Sequence, residues 1–520
     1  MAGEPTIYLG PPGTGKTTTL LGVVDEELAR GTEPERIAFI SFTTKAANEA
    51  RDRACARFGL DRSRFFHFRT MHSLCFRALG LTSSDVLAGK RFQEFADWAG
   101  VRVTGRAWSD DEMLEGFETG DRILFMENLA RIRRVPLRAL YDADDDNLSW
   151  MELDRVARAL AEYKARHGLL DYTDFLTEFV RRKPRVNIDV LIGDEAQDFS
   201  ALQWQVFWQL ARGARRACVA GDDDQAIYAW AGADVDHLID LKGDARVLGQ
   251  SWRCPPVIQK MGRTIIEEVK HRRPKEWKAR AGERGVASRV GRFEHAKLDD
   301  DWEDDDEKHE RPPVLVLARN VYVLRRDVEP ALRARGVVFE TSTGKSSLDL
   351  GALEAAETWT RLGAGHDVTL RAARVMYEYL SMTTGYKKGN KKLPRLGEDE
   401  EGVVSGHELV AFGGLRMSLN VPWHAALEKI APEDVSYMRL ARARGERLRG
   451  RPRIRISTIH SAKGGEASHV VLMTEMAKRT AQEMEKRPDD ERRVWYVGVT
   501  RAKRRITIVS PNEGRYCPWL

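Results

Sequence analysis

Short apolar blocks recur along the chain, each bounded by glycine, proline or charged residues. They are Thr6–Leu9, Arg36–Phe42, Asp189–Ile192 and Ala217–Ala220 in the first half, and Pro313–Leu317, Arg453–Thr458, His469–Met473 and Arg505–Val509 in the second. Runs that are apolar at successive positions read as strands covered on both faces, as in a parallel sheet. Helical spacing lies between them, as in Thr44–Phe58 and Trp204–Leu210. Strand–helix alternation in two separate groups predicts two α/β cores.

Longer stretches of mainly helical pattern interrupt each group. Leu79 to about Pro184 is one, with an acidic loop at Asp142–Asp146. Ser346 to Arg451 is the other, with the charged loop Tyr386–Glu401 and the basic run Ala441–Arg455. Each is expected to be a domain inserted into a core. The expected boundaries are 1–79 and 185–235 for the first core around an insert at 80–184, then 236–345 and 452–520 for the second core around a compact insert at 346–451. Asp299–Glu310 is an acidic run expected to be a solvated loop.

Composition narrows the class. The chain has 520 residues, enough for roughly three or four domains. Hydrophobic residues are 42% and charged residues 31%, which fits a globular chain rather than global disorder. No run of ~18 apolar residues is present, so no membrane-spanning helix is expected, and Met-Ala-Gly-Glu-Pro lacks the features of a secretory leader. The five cysteines contain no Cys-x-x-Cys pair, which leaves out the common zinc and iron–sulfur spacings and any disulfide framework; a reducing cytoplasm is the expected compartment. Lys plus Arg is 84 and Asp plus Glu 79, a net +5 that permits a nucleic-acid groove without requiring one.

Two patterns carry chemistry. Gly10-Pro11-Pro12-Gly13-Thr14-Gly15-Lys16-Thr17 matches G-x-x-x-x-G-K-[ST], after an apolar run and before a helical one, with Thr18 next. Its glycines let backbone N–H groups close on phosphate oxygens. Lys16 neutralises the β- and γ-phosphates, and Thr17 offers a hydroxyl to Mg2+. The strand ending Val190-Leu-Ile-Gly then delivers Asp194 and Glu195 side by side. Asp194 is placed to hold the metal and Glu195 to orient and deprotonate water.

With these residues in view, the chain resembles the UvrD/Rep helicases of superfamily one, in ordered blocks from residue 10 to about 510. The blocks after the phosphate loop are Ser41-Phe-Thr-Thr-Lys-Ala-Ala47, Thr70-Met-His-Ser73, Asp171-Tyr-Thr-Asp-Phe-Leu176, Gly193-Asp-Glu-Ala-Gln-Asp198 and Gly221-Asp-Asp-Asp-Gln-Ala-Ile-Tyr-Ala-Trp-Ala-Gly-Ala233. Gln250-Ser-Trp-Arg253, Ser457-Thr-Ile-His-Ser-Ala-Lys-Gly-Gly-Glu466 and Trp495-Tyr-Val-Gly-Val-Thr-Arg-Ala-Lys503 follow. The resemblance implies two RecA-like P-loop cores, each with a mainly helical insert, and ATP with Mg2+ as nucleotide and cofactor. It implies that Gln225 senses the γ-phosphate, that Arg253 and Arg501 reach it, that Glu466 contacts the ribose, and that Trp252, where the family usually has tyrosine, stacks on adenine. Phe42, Tyr228 and Trp230 are implied as aromatic grips on single-stranded DNA, with Thr43, Thr70 and His72 on its backbone. Core packing stays open for Phe42, Trp230 and Trp252. Lys387, Lys388, Lys391 and Lys392 form a basic loop that is either solvated or set against duplex phosphates.

Four departures from the family pattern stand out. Only nine residues precede Gly10, so the upstream glutamine motif is missing and strict ATP preference is in question. Ala231 stands where relatives carry arginine, and Gly465 where they carry leucine. The second insert is short, and with the chain ending soon after Arg501 no fused nuclease is expected. The expected activity is an ATP-dependent helicase moving 3′ to 5′ on single-stranded DNA and acting at single-strand/duplex junctions, with no membrane partner. The alternatives are a DNA-stimulated translocase that strips proteins without useful unwinding, and a nucleotide-switched DNA-binding adaptor.

Overall fold

The first apolar block forms β1 (Thr6–Leu9), and the chain then turns through glycines into α1 (Lys16–Ala29). In this computed structural model residues 4–104, 118–144, 148–298, 312–393, 396, 399–511 and 514–520 are described. The acidic run Asp299–Glu310 lies outside them, as do Asp145 and Asp146. After α1 come β2 (Ile37–Ser41), α2 (Thr44–Phe58), β3 (Phe68–Thr70) and α3 (Met71–Ala78). The first insert follows, as α4 (Lys90–Ala99), α5 (Thr119–Arg133), α6 (Leu137–Asp142), α7 (Trp150–His167) and α8 (Tyr172–Arg182). The chain returns to the core through β4 (Val190–Gly193), α9 (Ala201–Ala211), β5 (Arg216–Gly221) and β6 (Asp244–Val247).

These strands form one parallel sheet in the order β3-β2-β4-β5-β1-β6. The twofold alternation of strand side chains explains the burial. Ile7, Leu9, Ala38, Ile40, Leu191 and Val219 face Phe199, Trp204 and Phe207 on one side. Tyr8, Ile37, Phe39, Val190, Ile192 and Cys218 face Leu20, Val24 and Phe65 on the other. Both faces are covered, which is why the strands read as unbroken apolar runs. The edge strand β6 is exposed throughout, and its Asp-Ala-Arg-Val sequence carries no such run.

The described chain divides into two compact units, Met1–Arg289 with Lys463–Leu520, and Val290–Ala462. Within the first, Ala467–Met473 pairs in parallel with Ala502–Val509. Within the second, Ile454–Thr458 pairs in parallel with Val314–Ala318 and Phe339–Glu340. Two parallel-sheet cores flanked by helices are therefore present, as the pattern predicts. The second insert builds its own core from Trp359, Met376, Tyr377, Leu409 and Tyr437. Its basic loop is pinned by buried Tyr386 and Leu393, while Lys387, Lys388, Lys391 and Lys392 are exposed.

The Asp-Tyr-Thr-Asp signature has a structural purpose. Asp171 caps α8, accepting from the Asp174 N–H, and Asp174 returns the bond to the Asp171 N–H. Arg131 of α5 holds Asp171 at 2.8 Å and Asp174 at 3.1 Å, and Lys164 of α7 holds them at 2.8 and 2.6 Å. Two carboxylates shared by two cations lock three insert helices together, and α8 in turn packs on α3 and α9 of the core. Among the described residues no helix is long and apolar enough to cross a membrane.

Candidate nucleotide and DNA site

Every chemistry-bearing segment of the first sheet lies at the C-terminal end of a strand, where parallel α/β sheets place their ligands. The phosphate loop leaves β1, and the Gly10 N–H donates to Gly221 O at 3.0 Å, tying it to the end of β5. Gly13 (φ +71°) and Gly15 (φ +83°) take left-handed conformations that side chains resist. A Cβ on Gly10 would sit 2.1 Å from Lys16 Cγ, so the loop closes around the lysine stem. Lys16 Nζ donates to Gly10 O at 3.2 Å and lies 3.8 Å from Glu195 Oε1.

Asp194 and Glu195 leave β4 as the sequence places them. Thr17 Oγ1 donates to Asp194 Oδ2 at 3.0 Å. Burial and the adjacent Glu195 charge push the Asp194 carboxyl well above the usual carboxylate range. Such a buried carboxyl gains from a cation, so the Thr17–Asp194 pair suits Mg2+, which when bound screens phosphate charge. Burial also works against an ionised Glu195, but Lys16, Lys463, the Gln197 amide and Arg501 outweigh it and hold its pKa down. Glu195 sits at φ 55°, ψ 44°, a left-handed conformation that costs a non-glycine residue on the order of 1–3 kcal/mol. Gln197 Nε2 donates to its carboxylate at 2.5 Å and keeps it aimed.

The 251–254 segment is fastened to the phosphate loop. Ser251 Oγ donates to Pro12 O at 2.7 Å, and the Trp252 N–H donates to Gly13 O at 2.9 Å. A Cβ on Gly13 would meet the Arg253 Cβ at 2.2 Å, so this approach requires glycine. Trp252 is 70% exposed beside the loop, which removes core packing as its role and leaves its ring open to a flat partner. Arg253 Nε donates to Glu466 at 2.6 Å, and Lys503 pairs with the same carboxylate at 3.0 Å.

Gln225 and Arg501 meet directly. Arg501 Nη2 donates to Gln225 Oε1 at 2.8 Å, and Gln225 Nε2 donates to Asp222 Oδ2 at 2.6 Å. Arg501 is 1% exposed, and burial pulls its guanidinium down to about 10. A buried guanidinium among few carboxylates suits an anion that arrives from outside.

The expected DNA residues divide into two groups. Phe42 follows β2 and stacks on Tyr228, with ring centroids 5.5 Å apart and planes at 20°. Lys463 Nζ lies 4.8 Å from the Tyr228 centroid and bonds both Asp198 oxygens and Gln225 O. Trp230 is half-buried and stacks on Phe125 of α5, while Arg133 Nη2 donates to Ala229 O at 2.6 Å. The turn around Ala231 is thus seated on the first insert. Thr43 caps α2 and Thr70 caps α3 through their hydroxyls. His72 is half-buried, and loss of water pulls its imidazole down to about 4.

Sequence reasoning missed a cationic brace. Lys275, 2% exposed at its side chain, sits against Asp222 at 3.1 Å, Asp224 at 3.0 Å and Asp223. Arg272 adds bonds of 2.8 and 2.6 Å to Asp224. Burial opposes the Lys275 charge, but the three carboxylates outweigh it and push its pKa up. The signal was the triplet Asp222-Asp223-Asp224, since adjacent buried carboxylates demand cations. Asp198 and Lys463 lay inside quoted blocks without an assigned role.

Comparison with known proteins places this geometry. Residues 2–246 match the UvrD/REP helicase N-terminal domain, and residues 428–513 match the UvrD-like helicase C-terminal domain. The chain belongs to the UvrD/Rep helicase family. It is similar to "ATP-dependent DNA helicase PcrA" of Staphylococcus aureus, 26% identical over 294 residues that cover 52% of this chain and 39% of that protein. The protein of the same name from Staphylococcus epidermidis is 25% identical over 299 residues, covering 54% and 40%. The match thus spans about two fifths of the length of these relatives.

For this UvrD/Rep chain, Lys275→Met tests the brace. Uncovering three buried carboxylates costs about 3–5 kcal/mol of stability. ATP turnover falls on the order of 10²-fold as Gln225 loses its aim. In a Gln225→Ala background the same change lowers stability but not turnover any further, checked by melting temperature and steady-state ATPase.

Proposed function

We propose that the chain is an ATP-driven motor that moves 3′ to 5′ along single-stranded DNA and unwinds duplex at junctions, acting in the cytoplasm. The observation that carries this reading is Gln225. It touches Arg501 at the nucleotide side and, through its own carbonyl and Lys463, the Tyr228–Phe42 stack on the other side. A change at the γ-phosphate is thereby felt at the aromatic grip. The domain boundaries expected from the sequence, with inserts at 80–184 and 346–451, are retained in this proposal.

The chemistry follows from the residues in hand. Lys16 and the loop N–H groups hold the β- and γ-phosphates, and Trp252 covers the adenine. Glu195, kept ionised by its neighbours, orients a water and takes its proton. Arg253 and Arg501 neutralise charge that builds on the transferred phosphoryl group, an effect worth roughly 10³–10⁵ in rate. Arg253 leaves Glu466 to do so, which frees that carboxylate for the ribose. The aromatic pair Phe42–Tyr228 and the Trp230 ring grip bases regardless of sequence, because every base offers a π-face.

The deciding experiment is ATPase activity with and without single-stranded DNA. Hydrolysis is expected to rise with DNA and to drop by roughly 10³-fold or more in Arg501→Ala, with DNA affinity little changed. A variant that turns over at the wild-type rate removes Arg501 from the mechanism. Lys16→Ala is expected to abolish hydrolysis while single-strand binding persists.

Polarity has its own test. Forked and tailed duplexes are expected to be unwound from a 3′ single-stranded tail and not from a 5′ tail. Ala231, in place of an arginine, motivates a second reading, a translocase that displaces proteins without unwinding. ATPase and streptavidin displacement without strand separation on any tailed duplex selects it.

A further inference from the structure

The N-terminal ends of the strands, opposite the phosphate loop, carry a second concentration of positive charge. Phe66 and His67 precede β3 and residues 185–187 precede β4, while α3 runs back from the far end of β3 and brings Arg77 and Ala78 to the same end. With Arg69 of β3 they line a cleft of about 180 Å³, floored by Leu74 and Val186. Sites for whole small ligands occupy about 300–1,000 Å³, so this cleft suits a single chemical group.

Three arginines meet here without a carboxylate. Arg69 is 9% exposed and donates to Phe66 O through Nε at 2.7 Å and through Nη2. Among the described residues its Nη1 has no hydrogen bond, and Arg77 and Arg185 have neither a hydrogen bond nor an ion pair. The Arg69 and Arg77 guanidiniums lie 4.5 and 5.3 Å from the Phe66 ring centroid, so one ring seats both. No Asp or Glu lines the cleft. The acidic residues nearest in sequence are engaged elsewhere: Asp61 accepts from the Ser63 N–H, and Asp189 is held by Arg36. Burial and the charges of Arg77 and Arg51 pull the Arg69 guanidinium down to about 10, and burial with the Arg69 charge pulls the His67 imidazole down to about 4. Both directions report positive charge that no carboxylate offsets.

We propose that this cleft holds a phosphate group, forked by Arg69, Arg77 and Arg185 with the Asn187 amide beside them. A phosphate monoester carries about −1.5 to −2 charge at pH 7 and three strong acceptor oxygens, more of both than one carboxylate offers to three cations. Guanidiniums also match phosphate bidentately. The group is free phosphate or the phosphorylated end of a strand, which present the same chemistry. The cleft lies at the other end of the sheet from Phe42 and Thr70, so it is separate from the proposed single-strand track and stands whether or not the chain is a motor.

The test is phenylglyoxal labelling of the full chain at constant ionic strength, read at each arginine by peptide mass spectrometry. Inorganic phosphate at about ten times its half-protecting concentration is expected to slow labelling of Arg77 and Arg185 by about tenfold, with Arg158, exposed on α7, unaffected. Arg185→Gln is expected to raise the half-protecting concentration at Arg77 by about 10- to 150-fold, the range for one lost hydrogen bond to a charged group. Protection by 5′-phosphorylated oligothymidylate that is lost on dephosphorylation assigns the group to a strand end, and protection by inorganic phosphate alone assigns it to the small anion. Labelling of Arg77 and Arg185 at their chloride rates with both probes overturns the site and leaves the motor reading in place. Equal protection of Arg158, or an unchanged half-protecting concentration in Arg185→Gln, overturns it as well. Protection by polyglutamate and by neither phosphate probe gives the cleft to an acidic protein and likewise overturns the proposal.

Discussion

The Gln225 side chain is fixed at both ends, and the rest of the site is arranged around that fact. An amide has distinct donor and acceptor ends, so a residue gripped by Asp222 at its nitrogen and by Arg501 at its oxygen cannot flip without breaking a buried bond. Asp222 is itself held by Lys275, buried against it at 3.1 Å. Its backbone N–H is held by Gln197 Oε1, and the other end of that amide aims Glu195. Gln225, Glu195 and Arg501 are therefore parts of one hydrogen-bonded network with few exposed members. In such a network a displacement at one member is transmitted, because partial satisfaction of buried polar groups is costly.

The strand order sorts the chemistry-bearing segments into two halves of one sheet. In β3-β2-β4-β5-β1-β6, the central strands β4, β5 and β1 end in Asp194–Glu195, Asp222–Gln225 and the phosphate loop. The outer strands β2 and β3 end in Phe42–Thr43 and Thr70. Tyr228, which follows the Gln225 turn and lies on Phe42, joins the halves. β2 and β5 are two strand spacings apart, about 10 Å, and the turn that follows β5 carries Tyr228 across them.

Most of the fold was legible because parallel strands buried on both faces leave an unmistakable apolar run. The eight blocks read from the sequence all became strands, with ends within three residues, and Thr44–Phe58 became α2 with the same bounds. The strands that escaped notice are those without such runs. Phe68–Thr70 has three residues, Phe339–Glu340 two, and β6 is a polar edge. At the site, the phosphate loop and carboxylate pair were readable because phosphate chemistry dictates residue types at fixed spacing. Lys275 was not, since its partners lie some fifty positions earlier and no local spacing announces a contact made by a loop. The engagement of Glu466 by Arg253 and Lys503 was hidden for the same reason.

Ala231 takes on a different meaning once the turn around it is seen. The chain lacks an arginine there, yet the same turn is held by Arg133, reaching from α5 to Ala229 O, and by Trp230 against Phe125. Gly232 closes against Leu129 and Ile132, where a Cβ would approach within 2.9 Å. Ala229, Trp230 and Gly232 thus press the turn after Gln225 onto one helix of the first insert. That helix carries Arg131 on the cluster that mounts α8. The insert is then no passive appendage. It is the body on which the turn after Gln225 rests.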